Sequence, residues 1–259
     1  MRRLQLPEPA WKVVQGYMKL KFNGTVVRTP YYRNVERVRA ELRSLIGKGT
    51  PEEIVEDVLI FSKLRGFNLR RATPDEIRRF MEKEGIGIDC SGFVAHVYDG
   101  WLRAVNKGSI RSNLLWPKRT LYRKVITILR PIENISSELL TGELNCTTIE
   151  IEDTLPGDLI RLKGAKQGDH VVLISTVTLE EDGTPREIDY VHSSPHYGND
   201  NGVKKGKIRI TNPDRGLEYQ EWLEKDPNGR CITKDGYLRE LSDNRLVRPN
   251  FMEKIKWGQ

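Results

Sequence analysis

Residues 89–94 read Asp89-Cys90-Ser91-Gly92-Phe93-Val94 and follow a break at Gly85-Ile86-Gly87. Short polar residues ahead of an apolar run predict a helix start, with the helix continuing to about Val105. A thiol placed there faces the positive end of the helix dipole and free backbone N–H groups, which favour thiolate over thiol. The same N–H groups can receive the negative oxygen of a tetrahedral intermediate. Asp89 and Ser91 suit a helix start, and Gly92 lets another backbone approach closely.

A thiol needs a base, and the chain holds four histidines: His96, His170, His192 and His196. His96 lies six positions past Cys90, more than one helical turn away and on another face, so it reads as a helix-surface or core residue. His170 opens a β-branched run, HVVLISTVT, which predicts a strand over His170–Thr178. Glu181-Asp182-Gly183 signals a turn, and Arg186–Ser193 returns as the hairpin partner. About that turn, His170 and His192 fall at one end of the hairpin, where one could serve as base and the other orient it. His196, in the loop SSPHYGNDNG, carries a weak signal.

Upstream, Thr50-Pro51-Glu52-Glu53 and Thr73-Pro74-Asp75-Glu76 are two capping boxes, predicting helices over about 51–65 and 74–84. A third helix is predicted over about 34–46. The segments WKVVQGYMKLKF and TVVRTPYY read as short strands or an arm packed on the core. Downstream, 106–153 reads as a long insertion of helix and loop. Further strands are predicted over Asp158–Lys163, after the Leu155-Pro156-Gly157 turn, and over Lys207–Thr211 and Arg245–Arg248. Helices followed by an antiparallel meander make an α+β pattern. The division is a basic, mainly helical region over 1–84 and a second part over 85–259 that holds the insertion.

The 259 residues carry a net charge of +7, and its placement is uneven. Residues 1–80 hold 17 Lys and Arg against 9 Asp and Glu, and the remainder holds 26 against 27. That bias points either to a solvated helical surface or to an anionic polymer as partner of the N-terminal region. No apolar run approaches the ~18–20 residues of a membrane span. The start MRRLQLPEPAWKVV lacks the apolar stretch of a secretory signal, which leaves a cytoplasmic site or export by another route. Cys90, Cys146 and Cys231 form no CxxC pair, so zinc-ribbon and thioredoxin-type motifs are not expected. No metal or cofactor is expected either; a metal site built from His170, His192 and a cysteine lacks close ligand spacing.

Four segments in order carry a family likeness: Asp89–Val94, Pro156-Gly157-Asp158-Leu159, Asp169-His170-Val171-Val172 and Tyr190-Val191-His192-Ser193-Ser194. Together they resemble the NlpC/P60 cysteine peptidases over roughly 85–195. The resemblance implies a papain-like core, with the cysteine helix packed on a small antiparallel sheet. It implies a thiol hydrolase of peptide or amide bonds, most often in bacterial cell-wall (peptidoglycan) stem peptides. Carried over by position, Cys90 is the nucleophile, His170 the general base and His192 the orienting third member. Asp89, Ser91 and Asp169 support them, and the Cys90 amide with a neighbour makes the oxyanion hole. Members often place a Tyr within a YxxGG segment about a dozen residues before the cysteine. Here that region is Arg78-Arg79-Phe80-Met81-Glu82. The competing readings are a thiol amidase, protease or acyl transferase on a non-wall substrate, or a non-catalytic module that binds an anionic polymer.

Overall fold

The computed structural model describes residues 1–33, 42–118, 120–164 and 168–255. Its first strand, β1 (Arg2–Gln5), precedes helix α1 (Glu8–Met18). Strands or an arm were the expectation for the latter segment, but Ala10, Val14 and Tyr17 recur at helical spacing and bury one stripe. Strands β2 (Leu20–Phe22) and β3 (Thr25–Val27) then form a hairpin. Residues 34–41 of the helix expected over 34–46 lie outside the described residues; Ser44–Ile46 forms a single 3-10 turn.

Helices α2 (Pro51–Leu64) and α3 (Pro74–Lys83) start as expected. In each, the threonine hydroxyl accepts from the amide of the third helical residue while that residue's glutamate side chain reaches back to the cap amide. Such caps contribute roughly 0.5–2 kcal/mol each. Helix α4 (Cys90–Ala104) follows. The stretch 106–153 is the expected mix of helix and loop, with α5 (Ile110–Asn113), α6 (Leu121–Leu129) and α7 (Ser137–Thr141), and adds the short strand β4 (Cys146–Thr148).

The rest of the chain supplies β5 (Leu159–Leu162), β6 (His170–Leu179), β7 (Pro185–Ser194) and β8 (Gly202–Arg209). Strand β9 (Glu221–Trp222), helix α8 (Ile232–Arg239) and strand β10 (Arg245–Pro249) complete it. The sheet runs β4-β10-β5-β6-β7-β8-β9, each pair antiparallel. Strand β8 starts earlier than the Lys207–Thr211 run suggests, because residues 202–209 pair along β7 from Ser194 to Glu187. The chain is therefore α+β, with eight helices among the described residues. The N-terminal region joins this sheet through β1, which pairs antiparallel with the far half of β6, end to end with β5.

Alternation along the strands builds two cores. Leu159, Val171, Leu173, Val191 and Val247 face helices α1 and α4, while Ile160, Val172, Ile174, Tyr190 and Leu246 pack with Trp222 and Tyr237 behind the sheet. Burial on both faces explains why β6 reads as a near-continuous apolar run. Helix and sheet are bolted at the predicted turn. Tyr98, fully buried, donates to the Gly157 carbonyl at 2.6 Å, and the Gly157 amide donates to the Ile174 carbonyl at 2.8 Å. Gly157 has φ +97°, and a Cβ there would meet the Trp101 ring at 2.8 Å, so only glycine fits. No helix among the described residues is long and apolar enough to cross a membrane.

Candidate active site

Cys90 occupies the first turn of α4, behind Asp89 at the N-cap. The Asp89 carboxylate accepts from the Gly92 amide at 2.6 Å and from the Ser91 hydroxyl at 3.0 Å. Gly92 is needed here because a Cβ would sit 2.6 Å from the Gly47 carbonyl oxygen. That close approach brings in Lys48, which sequence reasoning missed. Its buried ammonium donates to Asp89 at 2.9 Å, to Ser91 at 2.6 Å and to the Ile135 carbonyl at 2.9 Å. Asp89 and Ser91 thus support the helix start through Lys48, which also ties it to the 106–153 stretch.

The thiol itself meets two elements. Its Sγ lies 3.3 Å from Ser137 Oγ, at the start of α7, and makes a long 3.9 Å contact to the Asp169 carbonyl just ahead of β6. The Asp169 carboxylate accepts from the Gly164 amide at 3.3 Å and so braces the loop leading into the strand. His170 opens β6, and Cys90 and His170 line one cavity of about 350 Å³. Among the described residues the hydrogen-bond partners of Sγ are on Ser137, Asp169 and Val171, not on an imidazole.

The two hairpin histidines do meet. His170 Nε2 lies 2.9 Å from His192 Nδ1, with ring centroids 5.2 Å apart. The register explains it: Leu173 faces Val191, so residues 170 and 192 stand on the same sheet face near its end. His192 is fully buried, and its Nε2 lies 3.0 Å from Glu224 Oε1. Glu224 sits just past β9, 32 positions from His192. It was not singled out from the sequence, and no local signal marks it.

The remaining histidines separate. His96 is buried with its Nε2 2.9 Å from the Lys48 carbonyl, a core position as expected. His196 lines the cavity with His170. Tyr31 also lines it, and a second cavity of about 260 Å³ shares Tyr31, Cys90 and Asp169 with it. An aromatic therefore stands at the thiol although Arg78–Glu82 holds no tyrosine. Buried Arg78 instead donates to Asn201 Oδ1 at 2.9 Å, and that oxygen accepts from the Tyr31 amide at 2.9 Å.

Burial dominates the electrostatics. It pushes the Cys90 thiol above its ordinary range, helped by the Asp89 carboxylate and opposed by Ser137, the Val171 amide and Lys48. The helix-start argument for a ready thiolate is thus outweighed by desolvation. Burial also pulls His170 well below its ordinary value, with His192 and His196 acting in the same direction and Glu224 against them. Both shifts favour the neutral form of their group. Cys90, Cys146 and Cys231 are all free thiols. No group of three or more His, Cys, Asp or Glu side chains among the described residues is arranged to hold a metal ion. No protein-family model matches the chain, and no curated protein matches it.

Proposed function

We propose that this chain is a cysteine hydrolase of peptide or amide bonds, built on a papain-like core of the NlpC/P60 type, with cell-wall stem peptides as its leading substrate class. One observation carries the reading: a helix-borne thiol and a strand-borne imidazole line one cavity, and the imidazole is hydrogen-bonded onward to a buried histidine. A buried His–His hydrogen bond serves a base that must hold one orientation.

In the reaction the thiol turns from Ser137 toward His170. The Cys90 S–H proton passes to His170 Nδ1 as Sγ bonds to the substrate carbonyl carbon, and the oxyanion faces the N–H groups at the start of α4. The C–N bond then breaks, and His170 returns the proton to the leaving amine. Water, giving its proton to His170, cleaves the thioester, and the thiol is restored with a carboxylic acid product. His170 must reach the leaving amine, and it lines only the larger cavity, so that arm receives the amine half of the substrate. Lys163 and Arg239 line the same arm, while Asp169, the one carboxylate among its described lining residues, is engaged by the Gly164 amide. This balance suits a leaving fragment that carries a carboxylate.

The test is hydrolysis of defined peptides, wall stem peptides included, followed by mass spectrometry, with Cys90→Ala as control. Amide cleavage that depends on Cys90 is the expected result. A folded protein that cleaves no amide and forms no acyl-enzyme with any of them overturns the reading.

A further inference from the structure

Glu224 receives donors from four sides. His192 Nε2 stands 3.0 Å from Oε1 and the Lys204 ammonium 3.5 Å from it. The Tyr190 hydroxyl donates to Oε2 at 2.8 Å and the Thr233 hydroxyl to Oε2 at 2.7 Å. Thr233 Oγ1 has the Tyr197 hydroxyl 2.8 Å away as its own donor. A carboxyl group enclosed by donors and almost fully buried is an ionised acceptor with nothing to give. Burial alone would raise its pKa, but His192, Thr233 and Tyr190 together hold it below the ordinary carboxylate range.

We infer that Glu224 is a positioning residue that fixes the tautomers of both imidazoles and leaves His170 Nδ1 as the unprotonated nitrogen. The argument is one of hydrogen-bond direction. Glu224 can only accept, so His192 Nε2 carries hydrogen. A His192 that carries one proton then presents a lone pair at Nδ1, which accepts across the 2.9 Å contact from His170 Nε2–H, whereas a doubly protonated His192 would reverse that contact and place the hydrogen of His170 on Nδ1. With one proton on His192, a neutral His170 is left with its lone pair at Nδ1. When His170 takes a second proton, every bond in the chain keeps its direction, and the new positive charge sits two hydrogen bonds from a carboxylate. The orienting function assigned to His192 is therefore transmitted: the histidine passes on a direction that Glu224 sets. The catalytic meaning rests on the hydrolase reading, but the tautomer assignment does not.

The experiment uses full-length protein labelled with ¹⁵N-histidine and two-bond ¹H–¹⁵N correlation spectra, in which protonated and unprotonated ring nitrogens resonate far apart. His170→Ala and His192→Gln assign the signals. In the wild type, both rings are expected to show hydrogen on Nε2 and an unprotonated Nδ1. Glu224→Gln keeps the shape of the side chain, but its amide can donate as well as accept. Both rings should then show mixed tautomers, and kcat on any cleaved amide should fall at least about tenfold with KM within about twofold. His192→Gln should preserve the His170 tautomer, since its amide donates to Glu224 while its oxygen accepts from His170. A wild-type His170 with hydrogen on Nδ1 overturns the proposal, as does a Glu224→Gln protein with unaltered tautomers. The stated tautomers in a protein that cleaves no amide would support the relay and count against the hydrolase reading alone.

Discussion

Ser137 Oγ and Cys90 Sγ lie 3.3 Å apart across 47 positions of sequence. The hydroxyl comes from the 106–153 stretch, so that stretch forms a wall of the site. This contact opposes the burial that raises the thiol pKa. Ser137→Ala is therefore expected to raise it further and to slow iodoacetamide alkylation of Cys90 at pH 8 by about fivefold, the equivalent of one hydrogen bond of ~1 kcal/mol. Mass-spectrometric mapping reads Cys90 apart from Cys146 and Cys231, whose thiols burial pushes up to about 12 and about 11. Faster alkylation of the alanine variant contradicts the contact.

A thiol shifted up and an imidazole shifted down predict a broad pH optimum. The base is lost when His170 is protonated, and its pKa lies well below the ordinary 6.5, so activity persists through mildly acidic pH. The pair loses the proton needed by the leaving amine only when the thiol ionises, above its ordinary 9.0. A profile of kcat/KM against pH should thus keep its acid limb below 6.5 and its alkaline limb above 9.0. An acid limb near 7 or above would mean a different base.

Cys90→Ala should abolish turnover, and His170→Ala should reduce it by roughly 10²–10⁴-fold. Circular dichroism and urea unfolding should show both variants folded. Retained turnover in Cys90→Ala would remove the thiol from the mechanism.

Much of the site was readable because its signals are local. The α4 start lies within Asp89–Val94, the two capping boxes each span four residues, and the His170–His192 meeting follows from a turn midway between them. The missed partners lie far along the chain. Lys48 is 41 positions from Asp89, Glu224 is 32 from His192, and Asn201 is 170 from Tyr31. Nothing in the spacing of a lone lysine, glutamate or asparagine announces such meetings. Helix α1 was misread for a different reason: its valines and tyrosine favour strands locally, and tertiary burial of Ala10, Val14 and Tyr17 decided otherwise.

Arg239 on α8 tests the charge of the leaving arm. Arg239→Gln is expected to raise KM about tenfold, one lost charged contact, for substrates whose amine half bears a carboxylate. The same substrates with that carboxylate amidated should be cleaved no worse by the variant than by the wild type. Equal losses on both would assign Arg239 a structural part.

Lys48 and Asp89 form a buried ion pair, at side-chain exposures of 8% and 10%. Lys48→Met leaves the Asp89 carboxylate without its cation, so unfolding free energy in urea should fall by roughly 3–5 kcal/mol. A loss under ~1 kcal/mol would mean that the carboxylate draws its stability from the Gly92 amide and Ser91.

The pairing of Leu4 with Val177 sets a timetable for synthesis. At roughly 5–20 residues per second, the first strand waits on the order of ten seconds or more for its partner to leave the ribosome. Strand β6 carries His170 at its other end, and Glu224 emerges later still. A nascent chain that already displays Cys90 therefore lacks the strand that carries His170, and the contact between His192 and Glu224 forms only after residue 224 has left the ribosome. Such long-range closure also makes for slow folding, because the loops must be closed before these contacts can form.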